Sequence, residues 1–91
     1  MRTRIHVATQ VSDYQRTLHP AARRTMKAAI LALPEGDTKP LTGEYEGLHR
    51  LRVGQTRVIY RHTRHGIECF YAAPRPIVYE YLAAHVREFL Q

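Results

Sequence analysis

Between His49 and His65 the chain carries five arginines, three histidines and no acid. Four of those arginines, Arg50, Arg52, Arg57 and Arg61, fall in two alternating segments separated by Gly54-Gln55. A strand turns successive side chains to opposite faces, so Arg50 and Arg52 share one face, with Leu51 and Val53 on the other. On the next segment Arg57, Ile59 and Arg61 share a face, and Val58 and Tyr60 take the opposite one. Solvated surfaces ordinarily mix signs, and a one-sign block across paired strands suits the binding of a polyanion. Arginine fits that task because its planar fork of donors matches phosphate oxygens. The presence of Ile59 implies that one register does not gather all four arginines, and Arg61 is the one expected at the periphery.

Arginine stabilises growing negative charge but stays protonated at any working pH, so a reacting site would need a further group to move a proton. The candidates are Tyr79, Tyr81, His49, His62, Glu44 and Glu46. His49 and His62 titrate nearest neutrality, yet a histidine on a basic sheet more often stacks or hydrogen-bonds than catalyses, and His49 is held in reserve as a general acid. Both tyrosines could equally be helix residues packed on the sheet. The six histidines have no metal-ligand spacing with cysteine or acids, and no Gly-rich phosphate loop precedes a helix, so no metal or cofactor is expected. Cys69 lies in the apolar run 67–73 and reads as a small core residue rather than a nucleophile.

These groups need a scaffold, and 91 residues suffice for one domain, 1–91, with a modest core. A hydrophobic fraction of 44% with 24% charged residues is that of a globular chain and argues against disorder. The formal charge of +6 attracts phosphate backbones or acidic proteins. Twelve of the fourteen basic residues are arginine, which favours phosphate recognition, although a GC-rich genome would produce the same bias. One cysteine cannot form an internal disulfide, no signal peptide opens the chain, and no apolar run approaches a membrane span. A cytoplasmic protein with no membrane partner is the resulting expectation.

Ile5, Val7 and Ala8 predict a short opening strand, and a first helix is expected over 13–18, capped by Ser12 or Thr9. His19-Pro20 breaks it, and Pro20 starts a second helix. There Ala22, Met26, Ala29, Ile30 and Leu33 form the core stripe, while Arg23, Arg24 and Lys27 take the wet face. Pro34-Glu35-Gly36-Asp37 ends this helix, and a loop is expected from Lys39 to Gly47. Strands over 48–53, 56–62 and 67–72, joined by short turns, predict a three-stranded antiparallel meander. After Pro74-Arg75-Pro76 a last helix places Val78, Leu82, Val86 and Phe89 or Leu90 on one stripe. The expected fold class is α+β, with the helices on one face of a curved antiparallel sheet and the other face free.

Leu41-Thr42-Gly43, then the run from Gly47 to Gly54, then Arg57-Val58-Ile59-Tyr60, resembles the core signature of the RelE/ParE superfamily of bacterial type II toxin–antitoxin toxins. Arg75 with Tyr79 four residues on is similar to the C-terminal part of that signature, and the resemblance covers nearly the whole chain. It implies a RelE-like fold and one of two activities, a ribosome-dependent messenger RNA endoribonuclease or, on the ParE branch, a gyrase inhibitor. An inactive basic binding module of the same fold is the third reading. The ribonuclease branch is the better match, since its required positions correspond to Arg50, Arg52, Arg57, Arg75 and Tyr79. The resemblance then implies Arg57, Arg75, Tyr79 and Arg50 as catalytic, and Arg52, Arg61 and His49 as RNA-binding. A cognate antitoxin, messenger RNA and the ribosome are the implied partners. Cleavage would proceed by attack of a ribose 2′-hydroxyl on the adjacent phosphate, with fixed cations stabilising the charge that grows there. Tyr79 is the expected base, since a phenol among cations loses its proton more readily, with Tyr81 the runner-up. Two departures stand out: Arg50 and Arg52 replace lysines common in the family, and Pro76 follows Arg75 directly.

Overall fold

Proline at position 20 divides the N-terminal helical stretch in two, as expected. In the computed structural model, which describes residues 3–89, strand β1 (Ile5–Val7) leads into helix α1 (Thr9–Arg16), and helix α2 (Pro20–Leu31) begins on the proline itself. His19 caps α2, its Nδ1 accepting from the Ala21 N–H at 3.4 Å. Helix α1 starts earlier than the sequence suggested, at Thr9 rather than Asp13, and neither Ser12 nor Thr9 caps it. Ala8 takes the cap position because its N–H is committed to Cys69 O at 2.9 Å, so the chain passes straight from strand to helix. Ala22, expected in the core, is exposed, whereas Met26, Ile30 and Leu33 are buried.

The expected meander is present as β3 (Leu48–Val53), β4 (Thr56–Thr63) and β5 (Gly66–Pro74), followed by helix α3 (Arg75–Phe89). The sheet is wider than expected. Its five strands run β1-β5-β4-β3-β2, with β1 parallel to β5 and a short β2 (Thr38–Pro40) antiparallel to β3. Lys39-Pro40 was expected to open a loop, but a proline is tolerated in an edge strand, and three residues are too few to show a period. A 3-10 turn at Gly43–Tyr45 carries the chain from β2 to β3. Pairing of β1 with β5 stops at Cys69, and the Gln10 side chain continues it: Nε2 donates to Ala72 O at 2.7 Å and Oε1 accepts from Ala72 N at 2.8 Å.

Helices cover both faces of the sheet, which corrects the expectation of a free face. Val11, Met26, Ile30, Leu51, Val58, Tyr60 and Cys69 form a core under α1 and α2. Leu48, Ile59, Ala73, Val78 and Leu82 form a second core under α3. The physical cause is the unbroken run Val58-Ile59-Tyr60: all three are almost fully buried, and such a run belongs to a strand covered on both sides. A register shift between Ile59 and Tyr60 leaves Phe70 as an extra residue on β5, so Phe70 and Tyr71 both pack toward α3. On α3 Val78 and Leu82 are buried as expected, while the side chains of Val86, Phe89 and Leu90 lie outside those described. Among the described residues no helix is long and apolar enough to cross a membrane.

Candidate functional site

The register of the meander decides which arginines meet. Arg52 lies directly opposite Arg57, Arg50 opposite Ile59, and Leu48 opposite Arg61. Arg50, Arg52 and Arg57 therefore share the face on which α3 packs, at the end of the sheet that α3 leaves uncovered. Arg75, the first residue of α3, is held there by its N–H donating to Gln55 O at 3.2 Å. One turn on stands Tyr79, its ring centroid 5.6 Å from the Arg75 guanidinium carbon. These five residues line one cleft of about 830 Å³, whose remaining lining is Lys39, Pro40, Leu41, Thr42 and Tyr45. None of the ten is an acid.

Each arginine is anchored differently. Arg57 Nη1 donates to Gly54 O at 2.9 Å and Thr56 O at 3.1 Å, which fixes the guanidinium against the β3–β4 turn. Arg50 Nη1 donates to the backbone oxygen of Asp37 at 3.2 Å and to its carboxylate at 3.3 Å, and Arg52 Nε stands 4.0 Å from the other carboxylate oxygen. Like charges placed directly across two strands destabilise a sheet. Burial first, and then the charges of Arg52, Arg50 and Arg75, hold the Arg57 guanidinium below its usual pKa, with Tyr79 opposing. A site in which cations disfavour one another is one that gains when a polyanion enters it.

No protein-family profile matches the chain, and no curated protein does. Solved structures match closely in shape. A chain of the RelB–RelE antitoxin–toxin complex from Methanococcus jannaschii superposes with a TM-score of 0.66 at 21% identity, over 84% of this chain and 96% of that one. The RelE–RelB complex of Pyrococcus horikoshii OT3 gives 0.63 at 26% identity, over 82% and 97%. The RelBE2 toxin–antitoxin complex of Mycobacterium tuberculosis gives 0.68 at 20%, over 82% and 100%. The chain has the RelE-like fold.

The RelE-like fold does not bring every expected residue to the cleft. Arg61 lies beyond Ile59 and is bound to Glu68, with Nε and Nη2 each 2.7 Å from Oε1, and it sits over the Phe70 ring. His49 precedes Arg50 and so points to the opposite face, where it stacks on Tyr60 at 5.2 Å and meets His62 edge-on at 5.0 Å. Burial, and then the His62 charge, lower its pKa. Neither residue lines the cleft, so the roles expected for Arg61 and His49 have no support in their position. Tyr81 is half a turn round the helix from Tyr79 and lies flat on Tyr71 at 3.7 Å, with His85 stacked on it at 4.4 Å. Burial first, then Glu88 and Tyr71, push its hydroxyl pKa up. Glu44 and Glu46 are exposed and line no part of the cleft. The buried Cys69 thiol is pushed up to about 12 by burial and by Glu68. Among the described residues no cluster of His, Cys, Asp or Glu is placed to hold a metal.

Lys39 and Tyr45 belong to the cleft but were absent from the sequence candidates. Tyr45 is packed against the second core from the 3-10 turn. The one available sign was an aromatic residue in a Gly-bounded loop.

Proposed function

We propose that this protein is the toxin of a type II toxin–antitoxin pair and an endoribonuclease that cuts messenger RNA on the ribosome. The observation that carries the reading is the convergence of Arg50, Arg52, Arg57, Arg75 and Tyr79 on one acid-free cleft. The three solved structures named above are toxin–antitoxin complexes, which supports an antitoxin partner. A ribose 2′-oxygen attacks the adjacent phosphorus, the bond from phosphorus to the 5′-oxygen breaks, and a 2′,3′-cyclic phosphate and a 5′-hydroxyl result. The guanidiniums stabilise the phosphorane-like charge, and preorganised donors of this kind are worth several kcal/mol because they need no rearrangement at the moment of reaction. Tyr79, beside Arg75, takes the proton of the attacking hydroxyl, directly or through a water, and the departing 5′-oxygen takes one up from solvent. A gyrase-binding role leaves this cluster without a task.

The test is Arg57→Ala, since the hydrogen bonds of Arg57 to Gly54 O and Thr56 O both run to backbone oxygens and its removal leaves no carboxylate unpaired. Cleavage of translated message, read by primer extension after induction, should fall roughly 10²–10³-fold, and growth arrest should disappear with it. Undiminished cutting by a folded mutant removes Arg57 from the site and with it this reading of the cleft.

A further inference from the structure

Two of the cleft arginines hang from one tight turn. Gly54 O and Thr56 O accept from Arg57 Nη1 at 2.9 and 3.1 Å, and Gln55 O accepts the Arg75 N–H at 3.2 Å. Three successive carbonyls of the β3–β4 connection therefore set the aim of the Arg57 guanidinium and the point at which α3 begins. Behind the turn lies a hollow of about 340 Å³, walled by Leu18, Ala22 and Met26 on the side of the helices and by Val53, Gly54 and Gln55 on the other. Among the described residues, the side-chain hydrogen bond that joins the helices to the turn is the one between the Tyr14 hydroxyl of α1 and Thr56 Oγ1, at 2.9 Å.

Thr56 pairs with Val53 to close the hairpin, and strand alternation sends its side chain toward the helices, with Val58 and Tyr60, while its carbonyl serves Arg57. It is buried, and a buried hydroxyl is costly when unpaired. Valine has the same shape without that cost, so what the hydroxyl pair adds over packing is a directional tie between α1 and the turn. We propose that Tyr14, which does not line the cleft, is a positioning residue for Arg57 and for the start of α3. By holding Thr56 it holds the carbonyls that aim the guanidinium. Its effect on rate rests on the cleavage reading above, whereas its hold on Arg57 does not.

Tyr14→Phe keeps the ring and deletes one hydroxyl. Single-turnover cleavage of ribosome-bound message by the full chain should fall about tenfold, with RNA affinity within about twofold of the parent, because every cleft charge remains and only its aim is loosened. Thr56→Val should do the same, and the two together should be no worse than either alone, since both remove one bond. Thr56→Ser, which keeps the hydroxyl, should cut at near the parent rate. Thr25→Val lines the same hollow but loses only a bond within α2, to Ala21 O at 3.1 Å, and should also leave the rate unchanged. The second readout is the NMR signal of the Arg57 Nε–H, which should shift or broaden in Tyr14→Phe, while that of Arg61, bound to Glu68, stays in place. An unmoved Arg57 signal overturns the tie, as does a rate loss that follows RNA affinity, matches the loss of folded protein in urea, or is equalled by Thr25→Val. If the parent does not cut message, the cleavage reading fails and the Arg57 signal alone decides the role of Tyr14.

Discussion

Tyr79 and Tyr81 are separated by one residue and by everything that matters chemically. The first faces the cleft beside Arg75, while the second is sandwiched between Tyr71 and His85 with its hydroxyl pKa raised by burial. Tyr79→Phe should lower single-turnover cleavage at least about 10²-fold with RNA affinity little changed, because only the hydroxyl is lost. Tyr81→Phe should cut at near the parent rate. Equal, small effects at both would make Tyr79 structural. His49 supports a second prediction at this scale. Burial and His62 hold its pKa below the usual value of 6.5, so between its folded pKa and 6.5 the folded state binds fewer protons than the unfolded chain. Stability is unaffected above that window and falls as pH drops through it. Urea midpoints measured from about pH 7.5 to 5 should fall less for His49→Gln than for the parent, and parallel curves would refute the assignment.

At the scale of elements, Gly66 lets the N-terminal strand close on β5. Gly66 has φ +140°, and a Cβ there would lie 2.1 Å from Arg4 O, the oxygen that accepts the Ile67 N–H at 2.9 Å. No side-chain rotation relieves a clash with backbone. Gly66→Ala should therefore detach β1 from β5 and lower stability by about 3 kcal/mol, measured as a shift in urea midpoint. A shift within about 0.5 kcal/mol would show that β1 contributes little. The Gln10 clamp on Ala72 and the Ala8 N–H bond to Cys69 hold the same junction from its other side, and together they set where α1 begins.

Across the whole molecule, the basic charge is unevenly used. Four arginines and Lys39 are gathered at the cleft, while Arg16, Arg23 and Lys27 rim a groove on the other face of the sheet. If the cleft arginines hold phosphates, binding of a short RNA should weaken linearly in log–log terms as salt rises, with a slope of roughly −2 to −3. Arg52→Ala should make the slope shallower by about 0.7, and Arg61→Ala, already matched by Glu68, should leave it unchanged. An equal change at both would mean that RNA spreads over the strands instead of entering the cleft.

Strand alternation and helical spacing were enough to read the meander, both N-terminal helices, and the sharing of one face by Arg50 and Arg52. His49, expected among the RNA-binding residues, lies on the other face instead, because neighbours on a strand cannot point the same way. Hidden from a local reading were the partners: that β1 joins β5 in parallel, that Thr38–Pro40 becomes an edge strand, and that α3 covers the second face. Such contacts join residues far apart in the chain and leave no period in it. The cleft itself is of this kind. Residue types declared its chemistry, but only the pairing of Arg52 with Arg57, and the docking of α3 that sets Arg75 and Tyr79 beside them, decided which cations act together.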